Sequence, residues 1–436
     1  MSEGGFKVLR GLRDLLPEDV EKLKYVSSVI REIFKLYGYQ EIITPTIEAF
    51  SLFEKKAGEE LRHRMYKFTD LGGREVALRP EMTPSVARFY INHMLSHQKP
   101  IRLGYIANCF RYDEPQHGRY REFWQGGFEL IGSSNPEADV EILNIANTLM
   151  KRLKFSDYYL KLNHVGIIKG ILTYEKVPEN IQNRVLGLFD KTRYDEAMYL
   201  LKSSNVTDEC LNNIKEVISL RGSDVNQIIN SAEQYIRKYP LAMEALSNLK
   251  EILILLDKSE LKIPILLDLG FARGLEYYTG IIFECFSSKN NKLALGGGGR
   301  YDNLIELFGG PPTPAVGYAP GIDRIILALT EEKIELNIEK HKKVIVISLS
   351  REFIHHAIKV ASILRESGIP TEVEIMGRDL KKALSYANSR NFDYAIIIGS
   401  IEVKEGKITL KDLNKGEQYK VSIEETINMI KTLNNK

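Results

Sequence analysis

The run Phe110-Arg111-Tyr112-Asp113-Glu114-Pro115-Gln116-His117-Gly118-Arg119-Tyr120-Arg121-Glu122-Phe123-Trp124-Gln125 constrains the fold more than any other part of the chain. Arg111, Arg119 and Arg121 surround a turn containing proline and glycine, with apolar sequence on both sides, Ile101 to Cys109 and Gly126 to Gly132. Two extended runs joined by a polar loop predict a long antiparallel hairpin. Strand side chains alternate faces, so Gln125, Gly127 and Glu129 share a face with Phe123 and Ile131, and Arg111 can reach it from the partner strand. That face carries an amide, a carboxylate and a guanidinium, with a bare glycine between amide and carboxylate. A guanidinium matches phosphate bidentately, and the missing side chain lets a ligand lie close to the sheet. A solvated hairpin tip would explain the loop arginines but not Glu129 among apolar neighbours.

Four other runs carry chemistry. Leu78-Arg79-Pro80-Glu81-Met82-Thr83 lies at a strand-to-helix junction. Thr83 and Pro84 read as a helix cap, or Glu81 and Thr83 together accept from an ammonium group. Leu266 to Gly280 contains Arg273-Gly274-Leu275-Glu276-Tyr277-Tyr278-Thr279-Gly280, with two adjacent tyrosines whose hydroxyls need partners if buried. Leu295 to Asp302 holds a glycine run but lacks the Lys-Ser/Thr of a P-loop and the spacing of a dinucleotide fingerprint. Glycines within a strand favour close backbone approach by a ligand. Ala315 to Ile326 reads as a strand, a turn and the first turn of a helix, where Arg324 adds a full charge to the backbone amides and suits an anion.

A chain of 436 residues holds two or three domains. A net charge of +2 is too small to imply a nucleic-acid partner, so such a site must come from local clustering. Cys109, Cys210 and Cys285 are widely spaced, and neither they nor the histidines, His355-His356 included, have metal-ligand spacing. Met1 to Lys7 has no apolar leader core, and no apolar run is long enough for a bilayer, so a soluble cytoplasmic protein is expected.

Residues 18–37 show helical periodicity, with Pro17 at the start and Gly38 at the exit, and a short strand ending at Thr44-Pro45 is expected next. From about 166 to 262 the chain is rich in Lys, Glu and Asn with helical spacing of Leu and Ile, and reads as a helical insertion. A charged connector, Glu331 to Lys343, marks a boundary. Beyond it strands and helices alternate, which predicts a small, mostly parallel α/β domain. There Arg378, Lys381, Lys382 and Arg390 form a basic patch that is either a solvated face or an RNA contact.

Taken together, these runs resemble the class II aminoacyl-tRNA synthetases in their histidyl form. Phe110 to Gln125 is similar to motif 2, the 18–37 helix and following strand to motif 1, and Ala315 to Ile326 to motif 3. Arg273 to Gly280 matches the histidyl signature Arg-Gly-Leu-x-Tyr-Tyr-Thr-Gly at every fixed position, and Gly297 to Asp302 matches Gly-Gly-Gly-Arg-Tyr-Asp. The resemblance implies an α+β catalytic domain with an antiparallel six-stranded sheet over 1–165 and 263–330, a helical insertion domain over 166–262, and an α/β anticodon-binding domain over 340–436. It also implies a homodimer. L-histidine and ATP would give histidyl-adenylate and pyrophosphate, and the histidyl group would pass to the 3' end of tRNA(His). Mg2+ would accompany ATP without a dedicated metal cage.

By the same resemblance, Arg111 and Arg273 are the catalytic residues at the α-phosphate and substrate carboxylate, and Arg324 holds the γ-phosphate. Arg119 and Arg121 belong to the loop that covers ATP and meets the tRNA end. Glu81 and Thr83 bind the α-amine, Gln125 lies near the carboxylate, Glu129 and Tyr278 bond the imidazole, and Tyr277 lines the pocket. The chain departs from bacterial members at Glu114, where they often carry arginine. Two alternatives share the fold: a non-catalytic paralogue regulating a phosphoribosyltransferase of histidine biosynthesis, and a synthetase-like RNA-binding module.

Overall fold

The structure, a computed structural model, describes residues 6–55, 59–289, 293–338 and 342–434. The start of the N-terminal segment, 1–5, and residues 339–341 of the connector lie outside them. Two compact units divide the chain, Met1–Asn337 and Ile338–Lys436.

The first unit is built on β1 (Ile101–Phe110), β2 (Glu122–Ile131), β3 (Tyr158–His164), β4 (Ile281–Ser287), β5 (Gly296–Arg300) and β6 (Ala315–Pro320). They are antiparallel throughout, in the order β1-β2-β6-β5-β4-β3. The hairpin expected from the arginine-rich run is β1–β2, with Tyr105 opposite Gly127 and Leu103 opposite Glu129. The sheet is larger than the expected six strands. Gln40–Glu41 adds parallel to β1, Ile265–Asp268 adds parallel to β3, and Arg221–Gly222 closes that edge, giving nine.

Helix α1 (Pro17–Tyr37) starts with proline in its first turn, carries Glu18 and Asp19 at the positive end of its dipole, and stops at Gly38 with φ 73°. Its apolar stripe, Val26, Ile30, Ile33 and Phe34, is buried against Phe128 and Leu130 of β2. Each such side chain contributes about 1.5–3 kcal/mol. Beside it α3 (Pro136–Arg152) and α4 (Ile322–Glu331) join the same core, while α2 (Thr83–His93) packs with Tyr105 and Ile282 on the opposite face. The strand expected to end at Thr44-Pro45 stops earlier, at Glu41. The buried Arg79 guanidinium takes the Thr44 and Pro45 carbonyls, so those acceptors serve a side chain instead of a ladder.

Between Val165 and Lys258 the chain forms helices, apart from the short Arg221–Gly222 strand. Their apolar faces continue the α1–α3 core through Ile167, Leu186, Ile214, Ile229 and Leu249. In the C-terminal unit the sheet order is Thr371–Val373, Val344–Ser348, Tyr394–Ile398, Ile408–Asp412, Gln418–Val421. The first three strands are parallel and the last two antiparallel, so the sheet is mixed, not mostly parallel. The turn between Asp412 and Gln418, with Gly416 at φ 77°, is too short for a parallel crossover.

Candidate active site

The pleat puts Phe128 and Leu130 against the helices, and so turns Gln125 and Glu129 to the other side, where a cavity of about 750 Å³ opens. Glu81, Thr83, Arg111, Arg119, Gln125, Glu129, Arg273, Tyr277, Tyr278 and Arg324 all line it. Residues distant in sequence thus meet on one surface.

One part of the cavity is built around carboxylates. Glu129 is 1% exposed; it accepts the Thr83 hydroxyl at 2.9 Å and the Tyr301 hydroxyl at its other oxygen. Burial pushes its pKa up to about 7, the two hydroxyl donors pull it back, and the nearby Glu81 charge adds to the rise. Glu81 is raised by burial too, against the charge of Arg111, and accepts the Tyr277 hydroxyl at 2.8 Å. Thr83 is not a helix cap. Met82 holds that position and Thr83 is the first helical residue, its hydroxyl directed to Glu129 instead. Of the two readings of that junction, the cap is therefore the one that fails.

The arginines form the cationic part. Arg111 donates from Nε to the Pro80 carbonyl at 2.8 Å and lies 5.3 Å from the Phe123 ring centroid. Arg273 donates to the Phe283 carbonyl at 3.0 Å and stands 3.7 Å from Glu284. Arg324 donates to the Ala294 carbonyl at 3.0 Å. Burial pulls its pKa down to about 10, helped by the positive charges of Arg119, Arg111 and Arg273 and opposed by Glu284. Cations close enough to depress one another favour a polyanion between them. Arg121 is not among the cavity-lining residues. Its backbone N–H donates to Gly11 at 2.9 Å, its Nε to the Asp113 carbonyl at 3.2 Å, and its guanidinium covers the Tyr112 ring at 3.6 Å. The sequence groups it with the loop arginines, but these contacts make it a brace of the loop base.

A family model described as histidyl-tRNA synthetase matches residues 11–325, and one described as anticodon binding domain matches 343–433. The chain belongs to the histidyl-tRNA synthetase family. It is 45% identical to a histidine–tRNA ligase of Methanocaldococcus jannaschii over 97% of this chain and 99% of that one. It is 40% identical to one from Saccharolobus solfataricus, over 98% and 99%. Among solved structures it resembles apo Staphylococcus aureus histidyl-tRNA synthetase, with 27% identity, a TM-score of 0.69, and coverage of 98% and 100%.

Within this histidyl-tRNA synthetase frame, Glu114 pairs at 3.0 Å with Arg10, both exposed. A cation from the N-terminal segment thus sits beside the position where bacterial members often carry their own. Sequence reasoning did not assign Tyr301, which bonds Glu129, or Tyr105, whose buried hydroxyl faces the cavity with no partner among the described residues. Tyr301 stood in the glycine-run signature, and Tyr105 shared the inward parity of β1. The glycines also act differently from expectation. A Cβ at Gly127 would overlap the Tyr105 ring, one at Gly297 the Arg273 guanidinium, and one at Gly317 the Glu129 carboxylate. The space they leave admits the protein's own functional groups.

Proposed function

We propose that this chain activates L-histidine with ATP and transfers the histidyl group to tRNA(His), the reaction of a histidine–tRNA ligase. The observation that carries this reading is one cavity holding both the buried, hydroxyl-bonded Glu129 and the Arg111, Arg119, Arg273 and Arg324 cluster. The first suits a small polar group with an N–H, the second a triphosphate.

In this reading Glu129 accepts an imidazole N–H, Tyr278 meets the other ring nitrogen, and Tyr277 holds Glu81 beside the α-amine with Thr83. Gln125 lies by the carboxylate. A carboxylate oxygen of histidine attacks the α-phosphorus in line, the bond to the bridging oxygen breaks, and pyrophosphate leaves. Arg111 and Arg273 neutralise charge at the reacting phosphorus, and Arg324 and Arg119 hold the terminal phosphates. Little covalent chemistry falls to the protein, so positioning and preorganised charge supply the rate. A terminal ribose hydroxyl of tRNA then attacks the adenylate carbonyl and AMP leaves. Magnesium travels with ATP; Glu284, lining the cavity beside Arg273, fits as a protein carboxylate toward it.

The segment 343–433 serves as the tRNA-reading module, and 166–262 as an insertion within the catalytic unit. In that module Arg378 pairs with Glu374 at 2.7 Å and Lys382 with Asp379 at 3.2 Å, so part of its basic patch is already neutralised. A homodimer would cover the exposed Ile43, and also Ile47 and Phe68 on the small three-stranded sheet. The cytoplasm is the compartment that fits, and no helix among the described residues is long and apolar enough to cross a membrane. The regulatory-paralogue reading is less supported, because the chain keeps its cationic cluster and its anticodon-binding match.

The test is pyrophosphate exchange into ATP with the purified protein. Exchange is expected with histidine and not with glutamine, asparagine or phenylalanine. A site built to hydrogen-bond its substrate can reject analogues by about 10⁴–10⁵. Equal exchange with another of these amino acids refutes the assignment.

A further inference from the structure

The catalytic cavity is not closed by the sheet and motif loops alone. Asp190 and Lys191, from the helical segment, also line it. Both line a second cavity of about 940 Å³ as well, between the helices around 183–203 and the 272–278 loop. Asp190 ends the helix Glu179–Asp190, whose Val185 and Phe189 are buried. The chain then turns sharply: Arg193 N–H reaches back to the Leu188 carbonyl at 2.9 Å, with Thr192 left-handed at φ 56°. The next helix opens with Tyr194, whose ring packs tilted at 50° against Phe189 with centroids 5.5 Å apart, and whose hydroxyl reaches the Gly270 carbonyl at 3.5 Å. That bond ties the turn to the chain entering the Arg273 loop.

Gly274 is where the two meet. A Cβ there would lie 2.9 Å from Asp190 Oδ2, and among the described residues no atom other than those of Asp190 and its chain neighbours is within 4 Å. The glycine therefore makes room for this one carboxylate. We propose that Asp190 is a positioning residue for adenylation: it holds the Arg273-Gly274 turn from the helical segment, so that this segment completes the active site. The proposal rests on the function given above. The Asp190 charge acts on Arg273 in the same direction as those of Tyr278, Glu284 and Tyr277, against burial. The acid thus acts on the cation by its charge while lying against the backbone beside it.

The experiment compares the full-length protein with Asp190→Asn, Asp190→Ala, Gly274→Ala and the Asp190→Ala/Gly274→Ala pair, by histidine-dependent pyrophosphate exchange and thermal unfolding. A misplaced catalytic group can cost about 10²-fold. Displacement of one positioning contact is expected to lower kcat about tenfold, with KM for histidine within about twofold, since the interaction matters in the transition state. Gly274→Ala drives the carboxylate away in the wild-type background but meets no side chain of the described residues once Asp190 is alanine. The pair is therefore expected to be no slower than Asp190→Ala alone, a coupling that residues in direct contact show. Wild-type kcat in Asp190→Asn, a loss confined to KM, or strictly additive losses in the pair would each overturn the proposal. Absence of histidine-dependent exchange in the unaltered protein would instead refute the underlying function.

Discussion

Replacing Glu129 by glutamine separates what this carboxylate does for the substrate from what it costs the fold. It is buried, with Thr83 and Tyr301 donating to its two oxygens and a pKa raised from 4.5 to about 7. A raised carboxylate pKa means the folded state binds a proton more tightly than the unfolded one. Stability is then fully present below about 4.5 and is lost as pH rises through about 7. That shift corresponds to about 3 kcal/mol above the window. Glutamine keeps the shape and carries no charge, so Glu129→Gln is expected to unfold at higher temperature than wild type at pH 8, the advantage vanishing toward pH 4.5. Activity is expected to move the other way. An imidazole N–H donated to a charged acceptor is worth about 1.5–3 kcal/mol, so kcat/KM for histidine in pyrophosphate exchange falls about 10- to 150-fold at pH 8. The gap between variant and wild type narrows as pH drops below about 7, where wild-type Glu129 takes up its proton. Taking the ratio of the two enzymes cancels the titration of free histidine. Exchange within about threefold of wild type at pH 8 would remove Glu129 from the imidazole site. A variant less stable than wild type at pH 8 would refute the burial argument.

Arg273→Ala is expected to slow single-turnover adenylate formation by about 10² or more, because one preorganised donor to a developing anion is worth roughly 3 kcal/mol; a rate near wild type would make Arg273 structural. Gly297→Ala should approach the same defect without touching Arg273 chemically, since the added methyl overlaps the guanidinium; an unchanged adenylation rate with an unchanged melting temperature would show that the guanidinium has another productive seat. A chain ending at Asn337, the limit of the first compact unit, should fold and make adenylate but charge tRNA poorly. Charging by the intact protein should also fall more steeply with salt than exchange does, as phosphate contacts require; efficient charging by the short form would deny the 343–433 segment its tRNA role.

The arginine-rich hairpin, α1 and the strand–turn–helix at Arg324 were legible because alternation, capping residues and length all pointed the same way. The strand before Thr44 was misread because the Arg79 side chain, remote in sequence, claims the Thr44 and Pro45 carbonyls. The antiparallel return of the C-terminal sheet rested on a turn around Gly416 that carries no apolar periodicity. The charged candidates Glu81, Arg111, Arg119, Glu129, Arg273 and Arg324 line one cavity with Tyr105 and Tyr301, which the sequence did not single out. A tyrosine in a strand looks like core until the carboxylate it faces is located. Arg121 lies elsewhere: its charge resembles that of Arg119, but the bare Gly11 beside it lets the side chain lie down against the N-terminal segment.

The glycines explain why the signatures have to occur together. Glu129 of the hairpin lies over Gly317 of the third motif, Arg273 over Gly297, and Tyr278 over Gly299. Each of these three side chains in one run is thus accommodated by a missing side chain in another. A glycine in such a strand weakens it and gains nothing by itself, so either run alone has an ordinary structural reading. Occurring together, they define a sheet stripped where Glu129, Arg273 and Tyr278 lie flat. A chain that kept the fold but dropped the chemistry would have no reason to keep these glycines bare, because filling them would strengthen the strands. That this chain retains both members of each pair ties its sequence signatures to the geometry of an adenylating site.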